Sequence, residues 1–215
     1  MLINVFNTFT KITGWPIQAL CFRTKVFFED PTRQRRQIKG PAILVSNHTS
    51  VFDYAVYLFV FFFRTLRFQM AEVLFKKQPL GLFLRCMGGI YVDRTSFDFG
   101  FLARSEDIIR RGGVVGIFPE SRIPTPGEQR PLEFKPSAAY LALSTQAPVI
   151  PLYTNGSYFN KKRAKVIIGA PMDVARFVDE SLSDKENISR VNDAMRRKIV
   201  ELETLLDELS AVKEA

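Results

Sequence analysis

Apolar runs and polar stretches alternate along most of the chain, and their lengths predict alternating strands and helices. Short apolar runs bounded by turn-forming residues predict buried strands at 42–46, 88–93, 114–118, 148–154 and 164–169. Longer segments between them predict helices at 54–63, 97–111 and 136–146. Strands that alternate with helices through long crossovers are typical of a single α/β domain with a mixed, largely parallel central sheet flanked by helices.

The clearest start of a helix lies near the C-terminus. Ser183 and Glu186 have the spacing of a capping box, in which each side chain bonds to the backbone N–H of the other residue. Apolar residues then recur at steps of three and four from Ile188 to Leu209. This periodicity predicts a long amphipathic helix that packs on the body of the domain.

The N-terminal segment is apolar and has its own helical pattern. We expect residues 1–31 to form a membrane-associating helical motif and residues 32–215 to form the main domain. Gly14 and Pro16 interrupt the segment, which predicts two short helices in place of one.

The same segment is expected to dock on a membrane without crossing it. Only eleven uncharged residues separate Lys11 from Arg23, whereas a spanning helix needs about 20 apolar residues. Trp15 and several phenylalanines would face lipid, while Lys11, Arg23 and Lys25 would meet lipid headgroups. The alternative is a pair of helices packed on the domain's own core.

The composition favours an anionic membrane surface as a partner. The chain has 215 residues, of which 47% are hydrophobic and 24% charged, and its formal net charge is +8. Its 20 phenylalanines lie in apolar runs, whereas RNA-binding proteins interleave aromatic and basic residues, so nucleic acid is not expected. The basic run at 33–39 favours an anionic leaflet. Cys21 and Cys86 have no metal-ligand spacing and indicate free thiols in a reducing compartment.

Three of the predicted strands run into polar clusters. The sequences are NHTSVFD (47–53), VDR (92–94) and FPESR (118–122). In α/β sheets, functional sites gather where strands end. Each cluster alone also has a simple structural explanation, as a helix cap, a surface ion pair and an ordinary turn respectively.

His48, the only histidine of the chain, is a candidate general base, and Asp53 a candidate to orient it. Residues five apart on a straight helix lie about 140° apart, so the two meet only if His48 lies in the turn before the helix. The turn formers around His48 permit that geometry. No protein nucleophile motif, P-loop, GxGxxG or HExxH is evident, so the pair indicates base catalysis on a substrate hydroxyl. Arg94 and Arg122 could clamp a phosphate, and Glu120 could accept hydrogen bonds from a polyol or hold a basic side chain.

Together these blocks resemble the glycerolipid acyltransferase family, specifically the bacterial 1-acyl-glycerol-3-phosphate acyltransferases of the PlsC type. NHTSVFD is similar to the family's NHxxxxD block, and residues 74–94 resemble its second block. FPES (118–121) is similar to its FPEG block, and residues 147–153 resemble its proline-containing fourth block. The four blocks occur in the family's order and cover about residues 40–170.

The resemblance implies an enzyme that moves a fatty acyl group from acyl-CoA or acyl-carrier protein to the free hydroxyl of a lysophospholipid. The implied acceptor is 1-acyl-glycerol-3-phosphate, which becomes phosphatidic acid, with His48 as the base and Asp53 orienting it. No metal and no bound cofactor are implied, since the acyl donor is a co-substrate. The implied location is peripheral, on the cytoplasmic face of the cell membrane. The alternatives are another lysolipid or glycerol 3-phosphate as acceptor, or a non-catalytic protein that binds membranes or lipids.

The resemblance also implies a set of substrate-binding residues. These are Arg94, one of Lys76 or Lys77, and the block formed by Phe118, Pro119, Glu120, Ser121 and Arg122. Two positions depart from the family's pattern. Ser121 replaces a glycine at a position that needs backbone freedom, and Arg122 comes one place early. Arg130 or Lys135 is the alternative contact to the substrate phosphate.

Overall fold

A computed structural model describes residues 2–32, 34–94, 99–159 and 163–212, and seven strands within them form one mixed sheet. The strands are β1 (Lys25–Phe28), β2 (Ala42–Ser46), β3 (Leu66–Ala71), β4 (Ile90–Val92), β5 (Val114–Ile117), β6 (Val149–Thr154) and β7 (Lys165–Ile168). Their order across the sheet is β1-β7-β6-β2-β5-β3-β4, and the β6–β7 pair alone is antiparallel within it.

Helices cover both faces of this sheet. They are α1 (Leu2–Cys21), α2 (Asp53–Val60), α3 (Glu72–Lys76), α4 (Leu80–Cys86), α5 (Gly100–Arg110), α6 (Ser137–Thr145) and α7 (Asp184–Val212), with a 3-10 turn at Val174–Phe177. Neighbouring strand residues point to opposite faces. Leu44 accordingly lies in a core with α2, α3 and α4, whereas Val45 lies in a core with α5, α6 and α7.

The predicted α/β class with a mixed, mostly parallel sheet flanked by helices is confirmed. Every strand and helix predicted in the main domain is present, with ends shifted by up to three residues, and residues 97–98 of the helix predicted at 97–111 lie outside the described residues. β3 was not predicted, because its residues alternate between buried and partly exposed positions and do not form a short apolar run. β1, α3 and α4 were not predicted either. Residues 25–28, which fall inside the expected N-terminal motif 1–31, form β1 and pair with β7 in the main sheet.

The N-terminal segment forms one helix, so the prediction of two short helices is wrong. α1 continues through Gly14 and Pro16, although a proline inside a helix removes one backbone hydrogen bond. Contacts with neighbouring elements hold the helix in place. Asn7 Nδ2 donates to the carbonyl oxygen of Met87 at 2.9 Å, and Gly14 lies so close to Phe59 that a Cβ there would be 3.1 Å from the ring. Tertiary packing therefore outweighs the local signal for a break.

The face of α1 that packs on the protein is polar, and its outward face is apolar. Asn7, Lys11 and Gln18 are buried, whereas seven large apolar residues are each more than half exposed: Leu2, Val5, Phe9, Ile12, Trp15, Ile17 and Leu20. This arrangement is the reverse of a surface helix in a water-soluble globular protein. A contiguous exposed apolar surface marks a site of interaction. None of the described helices is both long enough and apolar enough to cross a membrane.

Lys11 joins α1 to α2, and the expectation that it meets lipid headgroups is wrong. Its Nζ donates to the carbonyl oxygens of Phe61, Phe62 and Arg64 at 3.3, 3.1 and 2.7 Å, just beyond the last residue of α2. A cation is favoured there, because the last carbonyls of a helix have no partner within it. The side chain is 2% exposed, and burial lowers the pKa of the Lys11 ammonium to about 8.

Candidate active site

The predicted polar clusters meet at one edge of the sheet. β2, β5 and β6 run parallel and side by side, so their carboxyl ends lie at the same edge. The turn that contains His48 follows β2, Phe118 follows β5, and the loop that begins at Asn155 follows β6. This is the usual location of a site in an open α/β sheet.

His48 and Asp53 are in direct contact, in the one geometry that their five-residue spacing permits. His48 lies in the turn between β2 and α2, and Asp53 is the first residue of α2. His48 Nδ1 and Asp53 Oδ2 are 2.8 Å apart. The turn closes through the Asp53 backbone N–H, which donates to the carbonyl oxygen of Ser50 at 3.1 Å.

Asp53 is fully buried, and five donors surround its carboxylate. Besides His48, Oδ2 accepts hydrogen bonds from the backbone N–H groups of Thr49 and Ser50 at 2.7 and 2.9 Å. Oδ1 accepts from the hydroxyls of Thr49 at 2.8 Å and Tyr158 at 2.7 Å. These donors satisfy the buried carboxylate and hold it in one orientation.

The surroundings of His48 determine which ring nitrogen can accept a proton. Because a carboxylate can only accept, His48 donates to it through Nδ1, which leaves the lone pair on Nε2. The ring stacks on Phe118, with centroids 4.3 Å apart and an interplanar angle of 13°, so its plane is fixed. His48 is also part of the wall of a cavity. Nε2 is therefore the nitrogen that can take a proton from a substrate.

Glu120 supports the turn that carries His48. Its Oε1 accepts from the backbone N–H of His48 at 2.7 Å, and its Oε2 accepts from that of Leu132 at 2.8 Å. Burial raises the pKa of the Glu120 carboxyl, and the two backbone donors act in the opposite direction. Glu120 is 3% exposed and lies outside the cavity wall. The structure thus places it as a link between two loops, and its predicted contact with the substrate stays a prediction.

Two further residues support the site: Asn47, which lies in the predicted cluster 47–53 but was given no role in the site, and Tyr158, which was not predicted. Asn47 joins the ends of β2 and β6, since its Nδ2 donates to the carbonyl oxygen of Thr154 and its Oδ1 accepts from the Thr154 N–H, both at 2.9 Å. Tyr158, in the loop after β6, donates to Asp53. Each partner pair is more than 100 residues apart in the chain. No local pattern could have revealed them.

The cavity beside His48 has a volume of about 970 Å³, near the upper end for small-molecule sites. Most of its wall is apolar, formed in part by Phe52, Met70, Leu74, Leu80, Phe83, Leu84, Phe99, Phe101, Leu102 and Ile188. Asp93, Arg94, Ser121 and Lys135 add polar groups, and Phe118 and Pro119 also lie in the wall. Arg94 Nη1 donates to the carbonyl oxygen of Ser121 at 3.3 Å. The cavity thus combines two cationic side chains and one carboxylate with a large apolar volume.

Three predicted cations lie elsewhere. Arg122 is exposed and binds both carboxylate oxygens of Glu128 at 2.6 and 2.7 Å, while Lys76 and Lys77 are exposed at the end of α3 and outside the cavity wall. Of the two alternatives to Arg122, Lys135 lies in the wall and Arg130 does not.

Ser121 has a φ of +59°, in the left-handed region that favours glycine. The prediction that this position needs backbone freedom is confirmed. Within the described ranges, no group of three or more His, Cys, Asp or Glu residues is arranged to hold a metal ion.

Known proteins resemble this chain in sequence and in fold. The Acyltransferase family model matches residues 25–155. The chain is 30% identical over 149 residues to 1-acyl-sn-glycerol-3-phosphate acyltransferase of Bacillus subtilis (strain 168), a match that covers 67% of this chain and 72% of that protein. It is 28% identical over 158 residues to the human 1-acyl-sn-glycerol-3-phosphate acyltransferase beta, covering 71% of this chain and 56% of the human protein. The crystal structure of the 1-acyl-sn-glycerophosphate (LPA) acyltransferase PlsC from Thermotoga maritima matches with a TM-score of 0.63 at 22% identity, covering 94% of this chain and 79% of that chain.

Proposed function

The chain belongs to the PlsC-type acyltransferase family, and from this membership and the His48 site we propose that it transfers a fatty acyl group to the free hydroxyl of a lysophospholipid. The observation that carries the proposal is a hydrogen-bonded His48–Asp53 pair in which Asp53 is buried and His48 belongs to the wall of a large, mostly apolar cavity. A lipid substrate needs such a volume for its acyl chain, and a hydroxyl needs a base to become a nucleophile.

The proposed reaction is base-assisted attack of a hydroxyl on a thioester. His48 Nε2 takes the proton of the acceptor hydroxyl, while Asp53 stabilises the imidazolium that forms. The hydroxyl oxygen forms a bond to the thioester carbonyl carbon, and the carbon–sulfur bond breaks. The thiolate that leaves then takes the proton from His48. The products are an acylated lipid and a free thiol, and His48 is again neutral.

We propose 1-acyl-glycerol-3-phosphate as the acceptor and phosphatidic acid as the product. Both curated relatives are named for this acceptor. Arg94 and Lys135 support the assignment, because they place cationic donors in the wall of the same cavity as His48, and cationic donors bind phosphate oxygens through strong hydrogen bonds. Acyl-CoA and acyl-carrier protein are the two candidate donors.

Turnover with defined substrates tests the proposal. The purified protein is incubated with 1-acyl-glycerol-3-phosphate and either acyl-CoA or acyl-carrier protein, and release of free thiol is followed. A panel of lysolipids and glycerol 3-phosphate, compared by kcat/KM, identifies the acceptor. No turnover with either donor across the panel would contradict the proposal. Binding to lipid vesicles without turnover would favour a non-catalytic lipid-binding protein.

Arg94→Ala and Lys135→Ala are each expected to raise the KM for the acceptor by about 10–100-fold, with a smaller effect on kcat. A hydrogen bond to a charged group contributes about 1.5–3 kcal/mol, and about 1.4 kcal/mol corresponds to a factor of ten. Arg122→Ala is the matched control, because Arg122 is paired with Glu128 outside the cavity wall. An Arg122 variant with as large a rise in KM would mean that the phosphate binds elsewhere.

We further propose that the protein docks through α1 on the cytoplasmic face of the cell membrane. The exposed apolar face of α1 supports docking, and the two free cysteines are consistent with a reducing compartment. Phe22, which follows α1, packs on Phe52 and Phe159, with ring centroids 6.1 and 4.9 Å away. Both partner rings are exposed, and Phe52 is part of the cavity wall. This apolar surface offers a path for the lipid acceptor from the bilayer into the cavity.

Flotation with vesicles that contain phosphatidylglycerol tests the docking. The double variant Phe9→Ser with Trp15→Ser is expected to lower membrane partitioning more than tenfold, because burial of one large apolar side chain contributes about 1.5–3 kcal/mol. Val212→Ser is the control. Val212 is exposed near the end of α7, and α7 packs on the face of the sheet opposite to the one that α1 covers. Wild-type flotation of the double variant would rule out docking through α1.

A further inference from the structure

We propose that Tyr158 is a positioning residue for the His48–Asp53 pair, in which its hydroxyl holds one oxygen of Asp53 so that the other faces His48. The proposal rests on the function proposed above for this pair. It extends that function to a residue in the loop after β6, which none of the four sequence blocks includes.

The two oxygens of Asp53 have separate partners. Oδ2 accepts from His48 Nδ1 and from two backbone N–H groups of the same turn. Oδ1 accepts from hydroxyls alone, those of Thr49 and Tyr158, at 2.8 and 2.7 Å. Thr49 belongs to the same turn as His48, so Tyr158 is the donor to the carboxylate that comes from a distant part of the chain. It therefore ties the His48 turn to the loop that follows β6.

The Tyr158 hydroxyl is a donor in this contact. Burial, followed by the nearby charge of Asp53, raises the pKa of the Tyr158 phenol, so the phenol keeps its proton over the range in which an enzyme works. Thr154 Oγ1 lies 3.0 Å from the Tyr158 oxygen. Because the phenol proton is directed to Asp53, the Thr154 hydroxyl donates to the phenol oxygen. The result is a chain of donors from Thr154 through Tyr158 to Asp53.

The loop is shaped to bring Tyr158 to this position. Gly156 has a φ of +65°, and a Cβ at this residue would lie 2.6 Å from Thr49 Oγ1, so only glycine allows the loop to approach the His48 turn this closely. The Asn155 side chain accepts from the backbone N–H groups of Ser157 and Lys165, which closes the loop. The ring of Phe22 packs edge-on against the Tyr158 ring, with centroids 5.4 Å apart.

The proposal has a consequence for the charge that His48 experiences. The Tyr158 hydrogen bond disperses part of the negative charge of Asp53 at Oδ1. Without it, more charge faces His48 and the imidazolium is stabilised. The other charged groups near the pair are Glu120, bonded to the His48 backbone, and Asp93, Arg94 and Lys135 in the same cavity wall. They are unchanged when Tyr158 is replaced.

Tyr158→Phe tests the proposal, with Tyr153→Phe as the matched control. Tyr153 also donates a hydrogen bond to a carboxylate, that of Glu203 at 2.7 Å. Tyr158→Phe is expected to lower kcat about threefold to tenfold, the effect of one lost hydrogen bond, with KM unchanged. It is also expected to move the acid limb of the kcat profile to higher pH. Tyr153→Phe should change neither quantity.

A second measurement does not depend on turnover. Since His48 is the only histidine, its ring resonances can be followed by NMR as the pH is varied, without assignment. The midpoint of the change in these resonances with pH is expected at higher pH in Tyr158→Phe than in the wild type or in Tyr153→Phe. Gly156→Ala, which displaces the loop, should shift this midpoint in the same direction. An unchanged midpoint in Tyr158→Phe overturns the proposal, whatever its turnover. If the midpoint shifts but the protein transfers no acyl group, the positioning role of Tyr158 is supported and only the proposed function is contradicted.

Discussion

Replacing His48 with alanine is expected to lower kcat by about 10²–10⁴-fold, the range for loss of a general base, and to leave the fold intact. No other histidine exists in the chain to replace it. The substitution removes one side-chain hydrogen bond from Asp53, which keeps four other donors. The bond from the His48 backbone to Glu120 does not depend on the side chain. The turn should therefore keep its shape.

The measurement is the initial rate of thiol release at saturating substrates, together with thermal unfolding followed by circular dichroism. His48→Gln provides a comparison of similar polarity that cannot take up a proton near neutral pH. Added imidazole should restore part of the rate of His48→Ala, because the vacated position borders the cavity. A folded His48→Ala variant with a rate within about twofold of the wild type would exclude the general-base role.

Replacing Asp53 with asparagine is expected to lower kcat by about 10–100-fold while His48 keeps its orientation. The backbone N–H groups of Thr49 and Ser50 can only donate, so the single amide oxygen must occupy the position of Oδ2. The amide nitrogen then faces the hydroxyls of Thr49 and Tyr158, which can turn and accept. His48 Nδ1 still has an acceptor, but the charge that stabilises the imidazolium is lost. A charge-assisted hydrogen bond contributes about 1.5–3 kcal/mol, which corresponds to this loss of rate.

Asp53→Ala is the informative comparison. It leaves the same two backbone N–H groups without their acceptor in a buried turn, so it should also lower the free energy of unfolding by about 1–3 kcal/mol. The expected pattern is a stable asparagine variant with low kcat and a destabilised alanine variant with a still lower kcat. An asparagine variant as active as the wild type would show that the carboxylate charge does not contribute to the reaction.

Local pattern was sufficient to predict the class of the fold and the centre of the site. The buried strands are apolar runs in the sequence. The ends of two of them identified the turn that contains His48 and the cluster that begins at Phe118. The angle between residues five apart on a helix showed that His48 could meet Asp53 only from the turn before α2, where it is found. These predictions succeeded because each depends on residues close together in the chain.

The features that the sequence analysis missed depend mostly on contacts between distant residues. Pro16 signals a break in α1, but a polar face bonded to the main domain keeps the helix continuous. Arg122 is a different case, because its partner Glu128 is only six positions away; Arg122 lies outside the cavity wall and Lys135 lies within it. Tyr158 reaches Asp53 across 105 positions of sequence. A single sequence contains no local signal for the partners of α1 or of Tyr158.

The position of Lys11 bears on how this protein can be shortened for expression. Deleting α1 is an obvious way to remove the exposed apolar surface before purification. The deletion would also remove the ammonium that binds the carbonyls of Phe62 and Arg64 beyond α2, and α2 begins with Asp53. A truncated protein could therefore lose its acyl-transfer rate through a loosened α2 even in detergent, where no membrane is needed. Replacing Phe9 and Trp15 with polar residues, with Lys11 retained, is the safer route to a soluble form.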